Sequence, residues 1–105
     1  MSNLRGSWLL LLSLWLPATA AAQVRERGTL TGHTGWVGGV AFSTDGKFLA
    51  TASADRTVRF WDARSLEQVS VFRGHDDFVC AVAFSPDGNL LATGSYDHTA
   101  RLWSI

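Results

Sequence analysis

The sequence predicts an all-β fold made of two four-stranded antiparallel units, and three observations support this. The chain repeats itself after residue 30: Gly32-His33 recurs as Gly74-His75 and Trp61 as Trp103, always 42 positions later. Within each copy, short runs of β-branched and aromatic residues end at an Asp-Gly turn. The two copies align without insertion or deletion, so both are expected to adopt the same strands.

The strands follow from the local patterns in each copy. The runs "VGGVAF" and "VCAVAF" end at "STDG" and "SPDG", where Pro86 and Gly88 occupy the second and fourth positions of a type I turn. The next runs, "KFLATAS" and "NLLATGS", are apolar on both faces, as in a strand that is packed on both sides. The runs "RTVRFW" and "HTARLW" then alternate. Between the copies, "LEQVSVFR" predicts a more exposed fourth strand.

A bulge is predicted in the first strand of each copy. Val40 and Phe42 lie on one face of a regular strand, but Val37 has the opposite parity, and Val79, Val82 and Phe84 repeat this mismatch. One extra residue in the strand would restore the parity. The bulge would redirect the side chains beside it.

The repeated anchors resemble the WD-repeat β-propeller family, through "GHTGWVGGVAFSTDGKFLATASADRTVRFWD" and "GHDDFVCAVAFSPDGNLLATGSYDHTARLWS". The period fits one propeller blade. The resemblance spans about residues 28–105; it departs at Ser104, where the family has aspartate, and at Thr44, where the second copy has proline. It implies two blades, with repeat 1 at about 30–62 and repeat 2 at about 72–105. Such a partial β-propeller cannot close as a monomer, since closed propellers have about 4 to 8 blades.

The resemblance also implies a buried polar tetrad in each repeat. Its residues are His33, Ser53, Asp55 and Trp61, and then His75, Ser95, Asp97 and Trp103. We expect Asp55 to hold the His33 ring, His33 to contact the Ser53 hydroxyl, and Ser53 to accept from the Trp61 indole, because unpaired buried polar groups cost about 1–3 kcal/mol.

A catalytic alternative arises from the same residue types. Ser95, Asp97 and His98 lie within five positions of one another and are the residue types of a hydrolytic triad. In the first copy, however, the counterpart of His98 is Arg56. A triad is defined by geometry rather than by neighbouring letters. We therefore predict that the chain is not an enzyme, with a serine hydrolase as the less favoured alternative.

Residues beside the bulge and before the tetrad aspartate are the candidates for partner binding that the resemblance implies. Aromatic side chains there suit a contact surface, and packing of Trp36 and Phe78 between blades is the equally weighted alternative. The candidates are Trp36, Gly38, Ala54, Phe78, Cys80 and Tyr96.

Composition excludes several other functions. The 105 residues carry nine basic and nine acidic side chains, so nothing favours nucleic acid as a partner.

Asp76 and Asp77 follow His75, but their counterparts are Thr34 and Gly35. We therefore expect solvated loop acids rather than a metal site, and we expect no cofactor. The single cysteine, Cys80, can form no internal disulfide; we interpret it as a small buried side chain.

Residues 1–22 resemble an export signal. Arg5 precedes the apolar run "WLLLLSLWL", Pro17 ends that run, and "ATAAAQ" offers cleavage after Ala20 or Ala22. The apolar run is too short for a stable membrane span, which needs about 20 residues. A misassigned start or an uncleaved tail is the alternative. The predicted mature chain has a linker at 23–27 and is secreted or periplasmic; without export it is intracellular.

These expectations combine into a non-catalytic interaction scaffold with protein partners. The leading strand "RGTLT" could complete the last blade, or the blade of a neighbouring chain in a homo-oligomer. The main alternative is a truncated fragment of a longer propeller protein, without independent function.

Overall fold

The computed structural model describes residues 23–105, and the predicted export segment lies outside them. In this part of the chain the all-β class is confirmed, with a four-stranded and a three-stranded antiparallel sheet whose neighbouring strands follow one another in the sequence. None of the described residues forms a helix long and apolar enough to cross a membrane. The strands are β1 (Val37–Phe42), β2 (Phe48–Ser53), β3 (Thr57–Asp62), β4 (Gln68–Arg73), β5 (Val79–Phe84), β6 (Leu90–Ser95) and β7 (Ala100–Ser104).

The Asp-Gly turns join the first two strands of each sheet, as predicted. The amide of Gly46 donates to the carbonyl of Ser43 at 2.9 Å, and Gly88 donates in the same way to Ser85. Both glycines have a positive φ, 74° and 77°, a conformation that costs other residues a steric clash at Cβ. The turns therefore explain the Gly that each copy carries here.

The predicted bulge is present in both repeats. The pairing of β1 with β2 shifts between Val37 and Gly39, and the pairing of β5 with β6 shifts between Val79 and Ala81. The shift brings Val79 onto the same face as Val82, where Val79 is almost fully buried. The parity mismatch in the sequence thus had the cause that we inferred.

The core lies between the two sheets. One face of the first sheet, which we call its covered face, packs on one face of the second sheet, the covered face of that sheet. Phe60 approaches Phe84 at 6.1 Å between ring centroids, and Phe72 stacks on Trp103 at 5.5 Å with 12° between the rings. The buried residues of this core are Ala50, Ala52, Val58, Val79 and Leu91. The opposite face of each sheet, which we call its open face, has no other sheet packed on it within residues 23–105.

The second sheet differs from the prediction because it has three strands rather than four. The predicted leading strand, residues 27–31, forms no strand and pairs with none in the described part of the chain. This segment lies beside the first sheet, where Leu30, Phe42 and Leu49 line one cavity of about 400 Å³. It is therefore at the wrong end of the stack to complete the second sheet of its own chain.

Candidate functional site

The histidine and aspartate of each predicted tetrad meet at the same end of their sheet. His33 lies in the loop before β1 and Asp55 in the turn between β2 and β3; His33 Nδ1 donates to Asp55 Oδ2 at 2.8 Å. In the second repeat, His75 Nδ1 donates to Asp97 Oδ2 at 2.9 Å. The side chains of both pairs are buried.

Thr51, rather than the predicted Ser53, connects the histidine to the tryptophan. The Thr51 hydroxyl donates to His33 Nε2 at 2.6 Å and accepts from Trp61 Nε1 at 2.8 Å. Thr93 does the same in the second repeat, at 2.7 Å from His75 Nε2 and 2.9 Å from Trp103 Nε1. Each network is therefore one directed chain of hydrogen bonds from tryptophan through threonine and histidine to aspartate.

The register of the sheet explains this difference. Trp61 lies opposite Leu49, so Thr51 is its diagonal neighbour on the same face, within reach of a long side chain. Ser53 is two residues further along β2, about 6.6 Å more at the usual rise of a strand. Thr51 recurs as Thr93 at the 42-residue offset, and this recurrence was the signal that could have identified it.

The two serines instead fix the turn beside the network. Ser53 Oγ donates to the carbonyl of Gly35 at 3.1 Å and accepts from the amide of Asp55 at 3.1 Å. Ser95 Oγ donates to the carbonyl of Phe78 at 2.8 Å and accepts from the amide of Asp97. Both hydroxyls thus hold the loop before the first strand against the end of the second strand.

Both network aspartates are held in the ionised form. Burial opposes the charge of Asp55, but hydrogen bonds from Thr57, His33 and the amide of Thr34 outweigh it and keep the pKa of Asp55 far below its ordinary value. At Asp97 the hydrogen bond from Thr99 is the largest cause, and it lowers the pKa despite some desolvation. Each carboxylate therefore accepts several hydrogen bonds and stabilises its turn.

The hydrogen bonding of these networks indicates a structural role rather than a catalytic one. Thr51, His33 and Asp55 resemble a nucleophile, a base and an orienting acid. However, Thr51 is 5% exposed, and its oxygen already accepts from the Trp61 indole. Both His33 nitrogens have partners other than Ser53, so neither nitrogen activates that serine.

Three predicted partner-binding residues form a continuous row at this end of the sheets, which we call the aromatic row: Trp36, Phe78 and Tyr96. Trp36 meets Phe78 edge to face at 5.8 Å between ring centroids, and Phe78 lies 5.7 Å from Tyr96. Trp36 is 58% and Tyr96 56% exposed. The row crosses from the first repeat to the second, so these rings pack between the repeats while Trp36 and Tyr96 remain exposed to solvent.

The other three candidates lie beside the row. Gly38 lies under the Trp36 ring, where an added Cβ would be 3.2 Å from that ring, and Ala54 donates its amide to the Trp36 carbonyl at 2.9 Å. Cys80 is exposed, so its interpretation as a buried side chain was wrong. The bulge between Val79 and Ala81 directs Cys80 away from the core.

Asp76 and Asp77, beside His75, take part in hydrogen bonds of the loop before β5. The amide of Asp76 donates to Asp97 Oδ2 at 3.0 Å, and Asp77 Oδ1 accepts from the amide of Phe78 at 2.7 Å. Across residues 23–105, no group of three or more histidine, cysteine, aspartate or glutamate side chains could hold a metal ion.

Comparison with known proteins identifies the repeats. The family described as WD domain, G-beta repeat matches residues 25–62 and 66–104, which is more than half of the chain. Both repeats are matched separately, in agreement with the two sheets.

Several curated proteins are similar to part of the chain. The Notchless protein homolog of Arabidopsis thaliana is 45% identical over 60 residues, covering 57% of this chain and 12% of that protein. The Ribosome biogenesis protein WDR12 homolog of Nematostella vectensis is 47% identical over 55 residues, 51% of this chain and 13% of that protein. Ribosome assembly protein 4 of Saccharomyces cerevisiae is 38% identical over 59 residues, 56% of this chain and 11% of that protein. The matched part is thus about an eighth of these relatives' length.

Proposed function

Because the chain belongs to the WD-repeat family (WD domain, G-beta repeat), we propose that it is a non-catalytic interaction module that binds a protein partner through the aromatic row. The observation that carries this proposal is the continuous contact of Trp36, Phe78 and Tyr96 across both repeats, with the outer two rings more than half exposed. Aromatic side chains contribute much of the affinity at protein interfaces.

The surroundings of the row hold it in position for binding. The amides of Ala54 and Tyr96 donate to the carbonyls of Trp36 and Phe78, each at 2.9 Å. These bonds fix the backbone on both sides of the row, and the hydrogen bonds from His33 and His75 to Asp55 and Asp97 fix the loops that precede it. A surface held in this way loses little conformational entropy when a partner binds.

The relatives support an interaction role. Two of them are named for ribosome biogenesis and ribosome assembly. We propose for this chain only the coarser role of a subunit that contacts other proteins.

The aromatic row can be tested by comparing retained proteins. The tagged chain is incubated with an extract of its source cells, and the retained proteins are quantified for the native chain and for the double variant Trp36→Ser/Tyr96→Ser. We expect the specifically retained proteins to fall at least tenfold with the double variant. Val69→Ser is the matched control, because Val69 is 55% exposed but lies on β4, away from the row. Equal retention by all three chains would contradict the proposal.

We also propose that residues 1–22 export the chain, on the basis of the apolar run and the small residues that follow it. Amino-terminal sequencing of the protein from its source would then find Ala21 or Gln23 first. A chain that retains Met1 would contradict export.

A second candidate function is that of a unit within a larger propeller. The relatives are about eight times longer than the part that matches, and two blades are fewer than a closed propeller contains. In this case the aromatic row would be one part of a larger binding surface. Detection of the native protein in its source by an antibody against β3–β4 would reveal a larger polypeptide.

A further inference from the structure

Both ends of the two-sheet stack expose large apolar side chains. On the open face of the first sheet, Val37, Val40 and Phe42 are 47%, 59% and 64% exposed. On the open face of the second sheet, Leu102 is 72% exposed and Leu90 is also exposed. Contiguous apolar surface of this kind usually marks a contact with another protein. The two faces point in opposite directions, because the covered faces lie between them.

The open face of the first sheet has the same side chains as the covered face of the second sheet. The two faces are identical at eight equivalent positions. Val79, which is 1% exposed against the first sheet, corresponds to the exposed Val37. The first sheet therefore carries a complete copy of a surface that already packs on another sheet in this molecule. The pairs are Val37/Val79, Val40/Val82, Phe42/Phe84, Leu49/Leu91, Thr51/Thr93, Ser53/Ser95, Arg59/Arg101 and Trp61/Trp103.

The open face of the second sheet, in turn, has the character of the first sheet's covered face. Glycine or alanine occupies four of the equivalent positions in both sheets, and a large apolar side chain occupies both Phe48/Leu90 and Phe60/Leu102. Each substitution keeps the side chain apolar. The equivalent pairs are Gly39/Ala81, Ala41/Ala83, Phe48/Leu90, Ala50/Ala92, Ala52/Gly94, Val58/Ala100 and Phe60/Leu102.

The segment 26–31 and the free edge of β7 are complementary in the same way as the two open faces. Residues 26–31 precede Gly32-His33 as β4 precedes Gly74-His75, so the segment is the equivalent of β4. It forms no strand and pairs with none within residues 23–105, while β7 is the outer strand of a three-stranded sheet and has no partner on its far side among the same residues. An unpaired strand edge is a template for another strand. Here the free segment and the free edge are at opposite ends of the stack.

We propose that these surfaces bind a second copy of this chain, head to tail. Residues 26–31 of one copy add to β7 of the other as its fourth strand, and the open face of the first sheet covers the open face of the second. The register follows from β3 and β4, where Val58 lies opposite Phe72: Leu30 of one copy lies opposite Ala100 of the other. This goes beyond the proposed function, because it concerns the sheet faces and the strand edge rather than the aromatic row.

The association would repeat the contact already present between the two sheets. Leu30 would complete the stack as Phe72 does, and the backbone groups of β7 would gain partners that they lack in the single chain. Because each copy offers one donor segment and one acceptor edge, the contact is heterologous and closes only as a ring. Two, three or four copies would supply the 4, 6 or 8 blades known for closed propellers.

Crosslinking between two differently tagged chains tests both the partner and the register. All chains carry Cys80→Ser. One chain carries Leu30→Cys and the other Ala100→Cys; after mixing and oxidation we expect a disulfide-linked heterodimer in at least half of the molecules. The matched control replaces Ala100→Cys by Arg101→Cys, one residue away on the opposite face of β7, and should give less than a tenth of that yield. No crosslink with either pair, or equal yields, would overturn the proposal.

A second measurement keeps the result independent of disulfide geometry. Light scattering should give a discrete multiple of the chain mass for the native protein and a monomer for Leu102→Asp, while Val69→Asp should keep the native mass. Circular dichroism checks that each variant is folded. A folded native monomer at all concentrations would overturn the proposal. Neither readout involves the aromatic row, so failure here and loss of partner binding are distinguishable results.

Discussion

The indole nitrogen of Trp61 lies 2.8 Å from the hydroxyl oxygen of Thr51, in the buried interior of the first repeat. The same oxygen contacts His33 Nε2 at 2.6 Å. One hydroxyl therefore both accepts and donates, and it joins β2, β3 and the loop before β1. The stability of the first repeat should depend on the Thr51 side chain more than on the neighbouring Ser53.

Replacement of Thr51 by valine should lower the free energy of unfolding by about 2 kcal/mol, since both buried partners lose their hydrogen bond at little change in volume. Thr51→Ser keeps the hydroxyl and should cost clearly less. Chemical denaturation followed by tryptophan fluorescence measures both. If valine and serine destabilise the protein equally, the hydroxyl does not connect the network.

Acid should destabilise the protein through Asp55. Its pKa in the folded chain is depressed, while in the unfolded chain it is near 3.9. The stabilisation by this carboxylate is therefore fully present well above pH 4 and is lost as the pH falls through the unfolded value towards the folded one. Thermal unfolding between pH 7 and pH 3 should show a steep loss below about pH 4.

Asp55→Asn removes this titration. The variant should be less stable at pH 7 and should lose less stability between pH 7 and pH 3 than the native chain. Asp76→Asn, at an exposed loop position, is the control and should leave the acid loss unchanged. A native-like acid loss in Asp55→Asn would show that other groups cause it.

The strands, turns and bulge of both repeats followed from the sequence because each depends on local signals. Gly46 and Gly88 mark turns that require a positive φ, and the parity of Val37 against Val40 reports the bulge. Because every signal occurs twice in register, the strands could be assigned with less ambiguity than a single short apolar run allows.

The features that were not predicted from the sequence depend on cross-strand register and on sheet order. Thr51 and Ser53 lie on the same face of β2, so alternation alone does not distinguish them; only the position of Trp61 opposite Leu49 does. The exposure of Cys80 depends on how the bulge turns the chain. The fourth strand of the second sheet is absent from the described chain because its equivalent segment lies beside the first sheet.

Glycine should stabilise the turn after β2 and the equivalent turn after β6. Arg56 and His98 are equivalent positions with φ of 74° and 71°, where a Cβ atom is strained. Arg56→Gly or His98→Gly should raise the free energy of unfolding by about 0.5–1 kcal/mol, the relief of that strain less the greater entropy of an unfolded glycine. Arg56→Ala keeps the Cβ and should give no gain. Stabilisation by alanine as large as that by glycine would point to the lost charge instead.

The equivalent leucines Leu91 and Leu49 allow the covered and open faces to be compared directly. Leu91 is fully buried between the sheets, so Leu91→Ala should cost about 3 kcal/mol through lost contacts and a cavity. Leu49 is only partly buried on the open face, so Leu49→Ala should cost less in dilute solution. If a second copy covers that face, assembly stabilises the folded chain by mass action, and the cost of Leu49→Ala should approach that of Leu91→Ala as the protein concentration rises. A cost of Leu49→Ala that does not depend on concentration would mean that the open face stays uncovered.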